Sequence, residues 1–336
     1  MMAAAFDRLD ALPRERLGLL PTPLVAAPRL ARAIGVPELW IKHDELIGFG
    51  FGGNKVRGLE LLLADARARA ADLLVTGAGA QSNHVRTTAA AAACAGMDAV
   101  AIYWGDAPPL VQGNLRLTRC LGAQTRFTGS PDRAQVDAAI TEAADELRAA
   151  GRQPYAIPRG GACALGVLGH VLGTRELHRQ CASLGLRPGT IVLAVGSGAT
   201  LAGWLLGSAL LEAPWRVEGV TVSRPAAEAR TRVVQLAAEA AALLDVPIAL
   251  AEVDVVVHDG FIGNGYGVPT AAGDAAIVLV ARTQGMFLDP TYTGKAFAGL
   301  RTLAAGGRFD DHGPIVFIHT GGEPALFADP PRATTR

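Results

Sequence analysis

Short runs dense in β-branched and aliphatic residues alternate along this chain with alanine- and leucine-rich stretches that carry scattered charge. The runs WIKHDEL from Trp40, DLLVTG ending at Gly77, DAVAIYWG from Asp98, TIVLAV from Thr190, RVEGVTVS ending at Ser223 and IVFIHT ending at Thr320 predict strands, with a shorter one from Thr125 to Thr128. Between them, helical spacing predicts helices over 59–71, 82–96, 111–121, 132–150, 166–184, 226–244, 273–283 and 293–305. In the first of these Leu59, Leu62, Leu63, Ala66 and Ala70 share one face. Strand, glycine-bearing loop, helix, strand is the repeat of a mostly parallel sheet covered on both faces, so the expected class is α/β. Glycine-rich boundaries near Gly52 and over 155–161 suggest a second domain inserted into a first.

Composition narrows the picture. A chain of 336 residues is long enough for two ordinary domains. Half its residues are hydrophobic but only 5% are aromatic, so the core has to be built from alanine, leucine and valine, and disorder is excluded. The formal net charge is zero, so no overall field draws the chain to nucleic acid or to an anionic membrane. Cys94, Cys120, Cys163 and Cys181 are widely spaced without a CxxC pair, which argues against a disulfide framework and a structural zinc site. Acids and prolines occupy the N-terminus, and no apolar run reaches bilayer length; the expectation is a cytoplasmic protein without metal.

Four segments carry candidate chemistry. In GSGATLAG, Gly196 to Gly203, small residues follow an apolar strand and open a helix, where backbone N–H groups and the helix dipole favour an anion. The segment has no Walker lysine, and Leu201 stands where a dinucleotide fingerprint needs its last small residue, leaving a phosphate cradle or a tight turn. Lys55, in GFGFGGNK, follows glycines at a helix start; an amine turned into a crevice there deprotonates readily and forms Schiff bases, whereas the alternative is a solvent-facing lysine. QSNHVR, Gln81 to Arg86, places hydroxyl, amide and imidazole groups at a strand-to-helix junction, with Ser82 also suited to cap the helix. Tyr266 in GNGYGVP and Tyr292 in LDPTYTGK supply phenols in glycine-rich loops. An amine, a phosphate cradle and polar groups for a ring are the parts that pyridoxal phosphate requires.

In their order, LPTPL at Leu20, GGNKVR, QSNHVR, IPRGG, GSGATLAG, VSRP, YGVP, LDPTYTGK and IHTGG resemble nearly the whole length of the fold type II pyridoxal phosphate enzymes that include D-cysteine desulfhydrase and 1-aminocyclopropane-1-carboxylate (ACC) deaminase. The resemblance implies two three-layer α/β/α domains with mostly parallel sheets. Residues 1–52 and 160–336 would form a discontinuous large cofactor-binding domain and 53–159 a small one, with the cofactor in the cleft between them. It implies pyridoxal 5'-phosphate held covalently by Lys55, its ring hydroxyl by Asn83 and its phosphate by Gly196, Ser197, Gly198, Ala199 and Thr200, with Thr320 beside the ring. Lys55, Ser82, Tyr266 and Tyr292 would be catalytic; Ser82, Asn83, His84, Tyr266 and Tyr292 would face a small amino-acid substrate. A homodimer is also implied.

Within the family, members that open the cyclopropane ring typically carry Glu after the second tyrosine, as partner of the pyridine nitrogen, and Leu before the final glycine pair. Here Thr293 and Thr320 stand at those positions, a pattern resembling the desulfhydrase branch. The expected reaction is β-elimination from D-cysteine to pyruvate, ammonia and sulfide; the alternatives are ACC deamination or elimination from L-cysteate, 3-chloroalanine or O-acetylserine. Gly58, Cys163 and His170 depart from the commoner family residues, and Gly58 is expected to weaken the helix start.

Overall fold

A computed structural model describes residues 2–310 and 313–329. The first part of the chain forms α1 (Met2–Ala11), β1 (Leu24–Ala26), α2 (Pro28–Ile34), β2 (Leu39–His43) and α3 (Lys55–Ala68). There follow β3 (Leu73–Ala78), α4 (Asn83–Ala95), β4 (Asp98–Tyr103), α5 (Gly113–Cys120), β5 (Gln124–Phe127), α6 (Gln135–Ala149) and β6 (Pro154–Ala156). The remainder comprises α7 (Ala164–Leu184), β7 (Thr190–Val195), α8 (Ala199–Leu210), β8 (Arg216–Thr221), α9 (Ala226–Leu243), β9 (Val256–His258), α10 (Ala271–Gln284), α11 (Thr293–Ala305) and β10 (Ile315–His319). Among the described residues, no helix is long and apolar enough to cross a membrane.

Two sheets result. One has the order β1-β2-β10-β7-β8-β9, antiparallel only between β1 and β2; the other has the order β5-β4-β3-β6 and is parallel throughout. The strand period of two explains why both faces are buried. On β7, Ile191, Leu193 and Val195 pack with α7, α8 and α9, while Val192 and Ala194 pack with α2, α10 and α11 on the other face. In the smaller sheet, Leu73 and Val75 meet Val136 and Ile140 of α6, and Leu74 meets Leu59, Leu62 and Leu63 of α3 and Ala91 of α4. Every apolar run expected to be a strand lies in one of the two sheets, but YAIP, read from sequence as a boundary, also contributes β6, which pairs with β3. The short β1 and β9 escape a periodicity reading because three residues carry no readable alternation.

Helix α3 starts at Lys55, four residues before the expected Leu59, because the helix continues through Gly58. Packing gives Gly58 a role beside its cost to helix propensity. A Cβ there would lie 2.7 Å from the Gly166 carbonyl oxygen, and one on Gly169 would lie 2.2 Å from the Arg57 oxygen, so glycines let α3 and α7 cross backbone to backbone. At this crossing, fully buried Asp44 accepts from Arg57 Nη2 at 2.7 Å, and Arg57 Nη1 donates to Glu176 at 3.1 Å. Arg57 holds the Asp44 carboxyl below its ordinary pKa, burial notwithstanding.

Candidate active site

The C-terminal ends of parallel strands from both sheets converge on one cleft, the place where open α/β sheets bind ligands. Polar side chains and glycine backbone from both sheets' loops line it. Lys55, Ser82, Asn83, His84, Gly196, Ser197, Gly198, Thr200, Tyr266, Tyr292 and Thr320 all line it. Of the sequence-derived set only Ala199 does not; it is the first residue of α8, fully buried behind the loop.

The loop before Lys55 is held by backbone contacts. Gly53 N–H donates to the Asp44 oxygen at 3.0 Å and Asn54 N–H to the Thr320 oxygen at 3.1 Å, which ties the loop to the end of β10. Gly52 (φ 67) has no room for a side chain: its Cβ would fall 1.8 Å from the Glu45 oxygen. Arg86 braces the same turn from α4, its Nη2 donating to the Gly52 oxygen at 2.8 Å. The Lys55 side chain then enters the cleft. Burial pushes its amine down from 10.5 to about 8, and among the described residues its amine makes one long hydrogen bond, 3.3 Å to the Gly160 oxygen. This amine is poised to react.

Across the cleft the glycine loop joins β7 to α8, with Gly198 (φ 99) as the helix cap. Its Ser197 Oγ is buried without a partner, while Thr200 Oγ1 accepts from Asn54 Nδ2 at 2.9 Å. An orphaned hydroxyl among N–H groups at the start of a 12-residue helix fits a phosphate.

Ser82 caps α4, accepting from Val85 N–H at 3.4 Å, so the capping role anticipated for it coexists with a place in the cleft wall. Asn83 Oδ1 accepts from Asn114 Nδ2 at 3.0 Å, leaving the Asn83 amide N–H groups to the cleft. Thr76 donates its hydroxyl proton to the Ile157 oxygen at 2.9 Å, so His84 Nε2, also 2.9 Å away, is the donor to Thr76 Oγ1. Burial, with Lys55 nearby, lowers the His84 pKa to about 3 and keeps the ring neutral.

The two tyrosines form a pair. Their hydroxyls are hydrogen-bonded to each other, and their rings meet edge to face at 5.7 Å. Burial raises Tyr266 to about 12 and Tyr292 well above the ordinary phenol value, so both remain protonated at neutral pH. Fully buried Asp289 fixes Tyr292 by accepting its N–H at 3.0 Å while capping α11. Thr293 belongs to the same cap: its hydroxyl donates to Asp289 Oδ1 at 2.8 Å, and it does not line the cleft. Of Thr293 and Thr320, Thr320 reaches the site.

Sequence reasoning missed several wall residues. Arg133 lies over the rings of Tyr266 and Trp104, 5.4 and 5.8 Å from their centroids, and its Nη1 donates to the Ser223 oxygen at 3.1 Å. Asn54, Arg159 and Arg224 also line the cleft. Asn54, Arg159 and Arg224 sit inside the GGNK, IPRGG and VSRP motifs, but nothing in the motif order marks Arg133 or Asn114.

The chain resembles known proteins along its whole length. Residues 15–321 match the family "Pyridoxal-phosphate dependent enzyme". A D-cysteine desulfhydrase of Salmonella choleraesuis is 42% identical over 326 residues, covering 95% of this chain and 97% of that protein. A Pyrococcus abyssi protein named "Putative 1-aminocyclopropane-1-carboxylate deaminase" is 39% identical over 326 residues, covering 97% of this chain and 94% of that protein. A crystal structure titled as the ACC deaminase homologue superposes with a TM-score of 0.89 at 37% identity, with 97% of each chain covered. An L-serine ammonia-lyase of the fungus Rhizomucor miehei, 19% identical with a TM-score of 0.64 over 94% of this chain and 96% of that one, shares the fold alone. With a desolvated lysine and a glycine loop suited to a phosphate lining one cleft, and kinship of this extent, the chain belongs to the fold type II pyridoxal phosphate-dependent lyases and deaminases of the ACC deaminase and D-cysteine desulfhydrase family.

Proposed function

We propose that the protein is a D-cysteine desulfhydrase-like lyase, converting D-cysteine by β-elimination to pyruvate, ammonia and sulfide. One observation carries this reading: among the described residues that line the cleft there is no Asp or Glu, and the residue contributed by the end of β10 is Thr320. Pyridoxal phosphate, when bound, supplies a sink for the electron pair left at the substrate Cα. Without a carboxylate to keep the pyridine nitrogen protonated that sink is weak. Expelling a good leaving group from Cβ asks less of it than opening a cyclopropane ring.

The remaining steps fall to this chain's side chains. Lys55 would hold the cofactor covalently, with Ser197, Thr200 and the loop N–H groups on its phosphate and the Asn83 amide on its ring hydroxyl. Ser82 binds the substrate carboxylate. Freed Lys55 Nζ takes the Cα proton, for which an amine near 8 is well matched at neutral pH. As the Cβ–S bond breaks, hydrosulfide departs with the electron pair, hydrogen-bonded by the Tyr292 hydroxyl, which Tyr266 supports. The released enamine hydrolyses to pyruvate and ammonia. His84, neutral and tied to Thr76, closes the wall without exchanging a proton.

The test is a matched assay of holoenzyme on D-cysteine, L-cysteine and ACC, following sulfide and both 2-oxo acids, with Lys55→Ala as the control. Sulfide and pyruvate chiefly from D-cysteine, abolished in Lys55→Ala, are expected; efficient 2-oxobutanoate formation from ACC overturns the reading.

A further inference from the structure

A second cavity, with about 880 Å³ of empty volume, adjoins the cleft and shares Arg159, Ser197 and Arg224 with it. Neither Lys55, Asn83, Tyr266 nor Tyr292 lines it. Its other charged walls are Asp137 on α6 and Arg232 on α9.

The wall is cationic and short of anions. Three guanidinium groups face a single carboxylate, and Asp137 is already engaged by Arg159 Nη2 at 2.8 Å. Arg232 donates to neutral acceptors, the Ala162 oxygen at 3.0 Å and Gln235 Oε1 at 2.9 Å, and among the described residues no carboxylate pairs with it. Arg224 reaches an exposed carboxylate, Glu228, at 3.3 Å, but its Nε is buried with no partner. Ser197, whose hydroxyl goes to the cofactor's phosphate, marks where the cavity meets the cleft. Burial and the positive charges of Arg159, Arg232 and Arg133 destabilise the Arg224 cation, lowering its pKa. Like charges gathered in a partly desolvated concavity are unfavourable unless an anion joins them, and the guanidinium fork is suited to oxyanions.

We propose that this cavity is a second oxyanion site, separate from the cofactor's phosphate cradle, and that it takes a small tetrahedral oxyanion such as inorganic phosphate. Its walls come from both sheets: α6 packs on the four-stranded sheet, and α9 packs on the six-stranded one. An anion held there ties the two together beside the cleft and stabilises the holoenzyme.

The experiment titrates inorganic phosphate into holoenzyme saturated with cofactor, reading the thermal midpoint and the cofactor's absorbance, with sodium chloride at matched ionic strength as the control. Binding is read rather than turnover, so the outcome is independent of which amino acid the enzyme consumes. The expected result is a saturable rise in midpoint that chloride does not reproduce, with unchanged cofactor absorbance and about tenfold weaker phosphate affinity in Arg232→Gln. Arg232→Lys, which keeps the charge and loses the fork, falls between the two. An equal response in Arg232→Gln, a response matched by chloride, or no saturable rise overturns the proposal. So does loss of cofactor from the wild type as phosphate is added, which would put the anion in the cradle itself.

Discussion

Replacing Lys55 by Met in the cofactor-free protein should stabilise the fold at neutral pH while abolishing turnover. The magnitude follows from the amine, which burial moves from 10.5 to about 8. That displacement corresponds to roughly 3.4 kcal/mol against the charged form. By surface area the residue is half-buried, with its open side facing the cleft, so solvent access reduces the effect to about 2 kcal/mol. Met keeps the unbranched stem and removes the charge. The folded state binds fewer protons than the unfolded one between about 8 and 10.5, so wild-type stability rises with pH across that window. The advantage of Lys55→Met is therefore full below about pH 8 and vanishes above 10.5. Urea unfolding of both cofactor-free proteins at a series of pH values measures it directly. A variant no more stable than wild type at pH 7, or a difference that does not change with pH, would refute the desolvated amine.

Three further outcomes are expected. Gly58→Ala should lower the thermal midpoint: helix propensity favours Ala by about 1 kcal/mol, but overpacking against α7 backbone costs about 1–3 kcal/mol and no flexible side chain is there to yield; a raised midpoint would mean that α3 and α7 separate easily. Asp44→Ala removes one of the two carboxylates that pair buried Arg57, leaving Glu176, and should cost about 3 kcal/mol in denaturant unfolding, with less lost in the Asp44→Leu, Arg57→Met double variant. Tyr292→Phe should reduce kcat on D-cysteine by about 10²-fold, and parent kinetics in that variant would remove Tyr292 from assistance to the leaving sulfur.

Some of this protein was written in local patterns. Uninterrupted apolar runs such as TIVLAV can only be strands buried on both faces, and β7 is one. GGNK and GSGATLAG name a lysine and an anion nest because only glycines leave backbone N–H groups open to a ligand, and both segments reached the cleft. What local pattern could not supply was distance across the chain. Gly58 looked like a defect until α7, more than a hundred residues later, crossed it. Thr293 matched the position of the pyridine-nitrogen partner and Thr320 the one before the last glycine pair, yet Thr293 caps a helix with Asp289 and Thr320 lines the site. The pKa values of Lys55, His84 and the tyrosine pair follow from burial, which depends on both sheets closing around one cleft. The chemical groups are thus a property of the sequence; their desolvation, and the assembly of distant arginines around Ser197, arise only from tertiary packing.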